Sequence, residues 1–220
     1  MTRRSHLRFG KALGVATAVS LLAGCSGGNA ASERTTETPE VAQTAVAQGS
    51  SDVPLSEPIS APRALEVQSA EFADGAPIPP ANSFSGFGCT GENQSPSVSW
   101  SGAPADTKSY ALIVHDPDAP TGVGFFHWVV YDIPAGTTSL PQNAATSLPR
   151  GAHSGHNDFG TTSYGGPCPP PGSPHRYVFT VYALGVPTLG ITDPPTGALL
   201  RFMLAQHTLA YGRLVGTFQR

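Results

Sequence analysis

Residues 109–120 read SYALIVHDPDAP, an apolar run that ends in an acidic, proline-rich turn. A nearly continuous apolar run of this length is typical of a central β-strand that is buried on both faces. Residues 124–131 (GFFHWVVY) and residues 176–184 (RYVFTVYAL) have the same character. All three runs are rich in aromatic and β-branched residues and are bounded by Pro or Gly, so they predict three long buried strands.

Shorter elements are predicted on either side of these runs. Residues 65–68 and 97–100 alternate apolar and polar side chains, which predicts strands with one buried face. A single helix is predicted after Asp193, where a capping residue is followed by prolines and by apolar residues at helical spacing. This helix would end at Gly212, and residues 214–218 would return as a strand. With 25 Gly and 22 Pro residues, the pattern predicts a mainly β fold.

The N-terminus has the pattern of an export signal. Four basic residues precede an apolar run at 12–23, which is too short to span a bilayer permanently. The run ends in Leu-Ala-Gly-Cys at 22–25, which resembles the bacterial lipobox. We predict a signal peptide at 1–24, acylation of Cys25 with chains such as palmitate, and anchoring on the extracytoplasmic side of the cell envelope. A buried helix, or a secretion signal with an incidental cysteine, is the alternative.

Residues 25–63 have the composition of a tether. They contain no aromatic residue and no sustained apolar period. Such a segment buries too little apolar surface to offset the entropy cost of ordering it, so we predict that it is disordered. The globular domain is predicted at residues 64–220, a usual size for one domain.

Export also changes what is expected of the other two cysteines. Cys89 and Cys168 would lie outside the reducing cytosol, where a pair of thiols can form a disulfide. Two separate buried thiols are the alternative, because the sequence does not show whether the two Cβ atoms approach each other.

The charge pattern excludes one class of partner. The formal net charge is −3, and from residue 64 onward six Lys or Arg residues stand against ten Asp or Glu residues. A nucleic-acid-binding protein needs clustered cations to neutralise phosphates, and the sequence has no such cluster. We therefore expect no nucleic-acid partner.

Polar side chains occur where the buried runs begin or end. Pro117 directs Asp116 away from helical backbone, so the Asp116 carboxylate projects from a rigid turn. His127 lies inside an apolar run, and the Gly/Pro-rich segment 164–174 leads directly to His175. A rigid Pro/Gly loop beside histidines can hold an anion through backbone amides and protonated imidazoles. Taken singly, these features also fit a plain turn, a core histidine and a stiff connector.

Five short motifs are spread along the predicted domain: Asn93-Gln94-Ser95-Pro96, Asp116-Pro117-Asp118-Ala119-Pro120, His127-Trp128, Asn157-Asp158-Phe159-Gly160 and the run from Gly166 to Tyr177. Their identity and order resemble the phosphatidylethanolamine-binding protein family over residues 65–218. More narrowly, the chain resembles the bacterial branch described as Raf kinase inhibitor-like. The resemblance implies two antiparallel sheets, a few peripheral helices and an exposed anion pocket at one end of the fold.

The resemblance also implies which residues form the pocket. Four side chains would line it: Asp116, His127, His175 and Tyr177. Its lip would consist of Gly166, Cys168, Pro169 and Pro170, while Asp118 and Arg176 would form a structural pair. The carboxylate of Asp116, near His127 and His175, would favour a protonated imidazole, which suits a phosphate-bearing ligand.

We therefore expect a membrane-anchored binding protein for phosphate-bearing or phospholipid head groups. A regulator or inhibitor of a protein partner is the first alternative, and a hydrolase is the second. No Gly-x-Ser-x-Gly motif supplies a nucleophile, so we expect no enzyme. The pair His153-x-x-His156 lacks a third ligand at short spacing, and we expect neither a metal nor a cofactor.

Overall fold

The structure is a computed structural model that describes residues 60–220 of the chain. The predicted signal peptide, the predicted lipidation site Cys25 and nearly all of the predicted tether lie outside the described residues.

The described part of the chain is mainly β. The elements are β1 (Glu66–Gln68), β2 (Ser85–Gly86), β3 (Cys89–Thr90), β4 (Val98–Ser101), β5 (Ser109–Asp116), β6 (Phe125–Pro134), β7 (Ser139–Leu140), β8 (His153–Ser154), β9 (His175–Leu184), α1 (Gly197–Leu204) and β10 (Thr208–Phe218). A five-stranded sheet has the order β10-β9-β5-β6-β8, a three-stranded sheet has the order β1-β4-β7, and β2 pairs with β3 in a small hairpin. The strands within each sheet pair in antiparallel fashion.

The five-stranded sheet is covered on both faces, which explains the continuous apolar run in β5. Leu112 and Val114 point to one face and pack in a core shared with β1, β4 and β7. Ala111 and Ile113 point to the other face and pack in a second core with α1. Because successive side chains of a strand alternate between faces, a strand covered twice must be apolar throughout. The prediction of a mainly β fold with two antiparallel sheets is confirmed.

The predicted helix is real but much shorter than expected. The helix α1 begins after Thr196, whose side-chain oxygen accepts a hydrogen bond from the backbone N–H of Leu199, so Asp193 is not the cap. The helix ends at Leu204, and the predicted end at Gly212 was wrong because Gly212 lies inside β10, opposite Val181. The long edge strand β10 alternates buried and half-buried residues with a period of two. This period is typical of a strand, so the helical spacing of the preceding residues does not continue into it.

Residues 140–172, which the sequence left without predicted elements, contain regular structure. They include the end of β7, a 3-10 turn at Ala144–Thr146 and the short strand β8, which pairs with β6 at the edge of the large sheet. Within residues 60–220, no helix has the length and apolar character needed to cross a membrane.

Candidate functional site

One end of the five-stranded sheet gathers the polar residues predicted from sequence. The strand β5 ends at Asp116, directly opposite Phe125 at the start of β6. The neighbouring strand β9 begins at His175 and runs antiparallel to β5, so its first residues reach the same end. The strand β10 pairs Phe218 with His175, which brings Arg220, two residues further on, to this end as well. Antiparallel pairing therefore assembles one site from four distant segments.

A cavity of about 300 Å³ opens at this end of the sheet. Seven of the eight predicted ligand-binding residues line it, and Gly166 does not. The complete lining is Phe87, Asp116, Ala119, Pro120, Thr121, Phe125, His127, Phe159, Cys168, Pro169, Pro170, His175, Tyr177 and Arg220.

A hydrogen-bonded pair lies on one side of this cavity. The Nδ1 atom of His175 donates to Oδ2 of Asp116 at 2.7 Å. The other carboxylate oxygen, Oδ1, accepts the backbone N–H groups of Asp118 at 2.8 Å and Ala119 at 3.1 Å. Burial raises the pKa of Asp116 above its ordinary value, although its hydrogen bond with His175 opposes this shift. The pair fixes the ring of His175 and leaves Nε2 as the ring nitrogen available to a ligand.

His127 is held differently from the sequence-based expectation. Its Nδ1 donates to the backbone carbonyl oxygen of Gly165 at 2.7 Å, and its ring meets that of Tyr177 edge-on at 5.0 Å. Burial lowers the pKa of His127 to about 4, so its imidazole is neutral at pH 7. The protonated imidazole expected beside Asp116 is therefore not that of His127. With Nδ1 as donor, Nε2 of the neutral ring is a hydrogen-bond acceptor.

Tyr177 supplies a hydroxyl group that keeps its proton. Burial, and then the nearby charge of Asp116, raise the pKa of Tyr177 well above its ordinary value. The hydroxyl of Tyr177 therefore remains a hydrogen-bond donor over the physiological pH range.

The lip of the cavity is crosslinked. Cys89 and Cys168 form a disulfide with their Cα atoms 5.9 Å apart, and Cys168, Pro169 and Pro170 line the cavity. Gly166 lies behind this lip, where its N–H donates to Oδ1 of Asn93 at 2.7 Å. A Cβ atom at Gly166 would lie 2.2 Å from a backbone oxygen, so glycine is required there for packing. The predicted placement of Gly166 in the pocket lip is thus corrected to a supporting position.

The predicted structural pair is present beside the cavity. Nε of Arg176 donates to Oδ2 of Asp118 at 2.8 Å, and Nη2 donates to Oδ1 at 2.6 Å. The backbone N–H of Arg176 also donates to Oδ2 at 2.8 Å. Partial burial would raise the pKa of Asp118, but these hydrogen bonds hold it below its ordinary value. The pair ties the Asp-Pro-Asp turn to the start of β9.

Sequence reasoning missed one charged residue and an aromatic wall of the cavity. The missed cation is Arg220, whose Nη1 donates to the carbonyl oxygen of Phe87 at 2.8 Å. The rings of Phe125 and Phe159 meet edge-on with centroids 4.8 Å apart. Phe159 belongs to the motif Asn157-Asp158-Phe159-Gly160, so the sequence could have indicated its place in the site. No local sequence pattern indicates that Phe87 or Arg220 lines the cavity.

Within residues 60–220, no group of three or more His, Cys, Asp or Glu side chains could hold a metal ion.

Comparison with known proteins agrees with this architecture. Residues 68–219 match the family described as Phosphatidylethanolamine-binding protein. The chain belongs to the phosphatidylethanolamine-binding protein family. The family predicted from the five motifs is thereby confirmed.

Individual members of the phosphatidylethanolamine-binding protein family resemble the chain over most of their length. YbcL of Escherichia coli (strain K12) is 45% identical over 161 residues, which are 71% of this chain and 88% of YbcL. The crystal structure of YbcL, described as a new member of the mammalian PEBP family, matches with a TM-score of 0.69 and covers 71% of this chain and 98% of that one. "Putative lipoprotein LppC" of Mycobacterium tuberculosis (strain H37Rv) is 38% identical over 220 residues and covers 100% of both chains.

Proposed function

We propose that this member of the phosphatidylethanolamine-binding protein family is an envelope lipoprotein that binds a small phosphate-bearing head group in the cavity. The observation that carries the proposal is the convergence of His175, fixed by Asp116, and the guanidinium group of Arg220 on one cavity. Charge-assisted hydrogen bonds from these groups are the strongest contacts that a phosphate oxygen can make in such a site.

The charges of the lining residues favour an anionic ligand. Arg220 carries a permanent positive charge, which offsets the single carboxylate of Asp116 among the lining residues. A phosphate group would therefore meet a guanidinium donor in a cavity with no excess of negative charge. The neutral ring of His127 and the protonated hydroxyl of Tyr177 add no charge to the cavity.

The size and the remaining walls of the cavity favour a head group of limited length. A volume of about 300 Å³ lies at the lower end of the usual range for small-molecule sites. The rings of Phe87, Phe125 and Phe159 offer apolar and π surfaces, which suit methylene groups or an ammonium group next to the phosphate.

Binding is proposed rather than catalysis because the lining hydroxyl and thiol groups are already engaged. The hydroxyl of Thr121 donates to the carbonyl oxygen of Gly124 at 2.5 Å, and Cys168 is in a disulfide. The raised pKa of Tyr177 makes its phenolate scarce at neutral pH. None of these groups is prepared to attack a phosphorus or carbonyl centre.

The lipid anchor in the proposal rests on two supports. The sequence places Cys at the end of a lipobox-like segment, residues 22–25. The relative LppC, which aligns with the whole chain, has a name that describes a lipoprotein. Metabolic labelling with a palmitate analogue tests this point, since Cys25→Ser should abolish incorporation of the label.

Titration of the purified full chain with phosphoethanolamine and with inorganic phosphate tests the binding proposal. We expect saturable binding that weakens about tenfold or more in His175→Gln, since a charge-assisted hydrogen bond contributes about 1.5–3 kcal/mol. His153→Gln is the matched control, because His153 is exposed on β8 and does not line the cavity. Equal affinities of wild type and His175→Gln would contradict the proposal. Release of phosphate from phosphoethanolamine that disappears in His175→Gln would replace binding by catalysis.

A further inference from the structure

The disulfide between Cys89 and Cys168 lies in the wall of the proposed binding cavity. Cys168 lines the cavity, whereas Cys89 lies on the hairpin β2–β3 outside the lining. Both residues are half-buried, so a solvent-borne thiol can approach the bond. Unlike a disulfide enclosed in a core, this one is accessible to a thiol in solution, and a change in it would alter the wall of the cavity.

The hairpin that carries Cys89 has a strained turn. Its two turn residues, Phe87 and Gly88, have φ angles of 50° and 83°. A two-residue turn with both φ angles positive favours Asn or Gly, and Phe is costly at the first position. Phe87 is 77% exposed, yet it forms part of the cavity wall. Contacts from outside the turn must therefore hold this conformation in place.

Arg220 provides contacts to both the turn and the disulfide. Its Nη1 atom lies 2.8 Å from the carbonyl oxygen of Phe87, 3.6 Å from Sγ of Cys89 and 3.7 Å from Sγ of Cys168. A cation beside a sulfur stabilises its thiolate form, and a stabilised thiolate is a better leaving group in disulfide exchange. The residue proposed to bind the anionic ligand is thus also placed to promote opening of the disulfide.

We propose that the Cys89–Cys168 disulfide is a site of thiol–disulfide exchange with a dithiol reductant, and that its reduction weakens anion binding in the adjoining cavity. One thiolate of the dithiol attacks Sγ of Cys89, and the electrons of the S–S bond pass to Cys168, which leaves as a thiolate beside Arg220. The second thiol of the dithiol then displaces Cys89. In total, the dithiol becomes a disulfide and two cysteine thiols form, with two electrons and two protons transferred.

Two effects of reduction act in the same direction on the ligand, and this coupling rests on the function proposed above. The thiolate of Cys168 places a negative charge in the cavity and competes with the ligand anion for Arg220. Loss of the crosslink also frees the strained turn, so Phe87 leaves the cavity wall. Coupling is reciprocal, so a bound anion that engages Arg220 should protect the disulfide from reduction.

The affinity of the purified full chain for inorganic phosphate, measured in its oxidised and dithiol-reduced forms, tests the coupling. At a pH near the cysteine pKa of about 8.5, reduction should weaken phosphate binding about tenfold, and reoxidation should restore it. Peptide mass spectrometry after alkylation identifies which cysteines are reduced, since Cys25 is also present. Cys89→Ala should bind phosphate more weakly than Cys89→Ala/Cys168→Ala, because only the single variant retains the Cys168 thiolate.

The rate of reduction by dithiothreitol gives a second readout that does not depend on the stability of cysteine variants. Arg220→Gln should slow reduction about threefold by removing the cation beside the sulfurs, while Arg150→Gln, an exposed arginine outside the cavity lining, should not. Saturating phosphate should slow reduction of the wild type by a similar factor. Equal phosphate affinities in both redox states, or reduction rates insensitive to both Arg220→Gln and phosphate, would overturn the inference. Absence of phosphate binding to the oxidised chain would instead defeat the proposed function, and the comparison of Arg220→Gln with wild type would still test the exchange site.

Discussion

Nδ1 of His175 lies 2.7 Å from Oδ2 of Asp116, although the two residues are 59 positions apart in the chain. The contact exists because β5 ends and β9 begins at the same end of the sheet. Two backbone N–H groups of the same turn hold the carboxylate of Asp116, so this carboxylate fixes the orientation of the imidazole. The orientation of His175 in the cavity therefore depends on a turn determined by residues far away in the sequence.

Asp116→Asn should invert the tautomer of His175. The backbone N–H groups of Asp118 and Ala119 require an oxygen, so the amide nitrogen of Asn would face Nδ1 of His175 and force it to accept. The neutral imidazole would then carry its proton on Nε2. Nitrogen-15 chemical shifts of the ring at about pH 8.5, where the neutral form of a typical histidine dominates, measure this change. An unchanged tautomer would show that the pair does not control the ring.

The free energy of unfolding should fall as the pH falls from about 6.5 to about 4, partly because of His127. Burial lowers the pKa of His127 to about 4, so between these values the unfolded chain binds a proton that the folded chain excludes. The stabilisation is complete above the unfolded pKa and is lost as the pH falls toward the folded pKa. Between pH 7 and pH 5, His127 should account for a loss of roughly 2 kcal/mol.

His127→Asn is the variant that tests this pH dependence, because the Asn amide can still donate to the carbonyl oxygen of Gly165. Urea denaturation at both pH values should give a smaller fall for the variant. A fall remains in the variant because burial also lowers the pKa of His115 to about 4. Identical falls for wild type and His127→Asn would contradict the assignment.

Asp118→Asn should reduce the free energy of unfolding at neutral pH by about 1 kcal/mol, with allowance for solvent screening of an ion pair that is partly exposed. Because contacts with Arg176 hold the pKa of Asp118 below its ordinary value, this stabilisation is present above about pH 4 and is lost as the pH falls through the lowered pKa. Chemical denaturation should therefore give a difference between wild type and variant that shrinks under acidic conditions. A difference that stays constant with pH would assign the effect to shape instead of charge.

Leu112→Ala should destabilise the fold by about 2–5 kcal/mol, because it removes a fully buried side chain from the core between the two sheets. Leu199→Ala makes the same chemical change on the surface of α1, where the leucine is half exposed, and should cost less than about 0.5 kcal/mol. Thermal or urea unfolding of both variants measures the contrast. Similar losses in the two variants would contradict the burial pattern described for β5.

Local sequence patterns predicted the long buried strands well, but they missed the short strands β2, β3, β7 and β8 and misplaced the end of the helix. The run 109–116 is apolar throughout because both faces of β5 are covered, and this pattern is visible without knowledge of the partners. The predicted helix was too long, because apolar residues at helical spacing do not show where a helix ends and a paired strand begins. The pairing of β10 with β9 from Thr208 onward limits the helix to residues before it.

Much of the candidate site was also predicted, but only through the family resemblance. Asp116, His127, His175 and Tyr177 do line one cavity, whereas Gly166 supports the lip from behind. Arg220 was missed because it is distant in sequence from every motif. Its position depends on the pairing of Phe218 with His175, which no local pattern shows.

The amino-acid sequence by itself determined the buried strands, the rigid Asp-Pro-Asp turn and the family, because these depend on the side chains of neighbouring residues and on their order along the chain. Only the tertiary structure decided that Cys89 meets Cys168, that His175 binds Asp116, and that His127 is neutral. Disulfide formation and pKa values depend on interatomic distance and on burial. Those quantities arise when antiparallel pairing brings distant segments to one end of the same sheet.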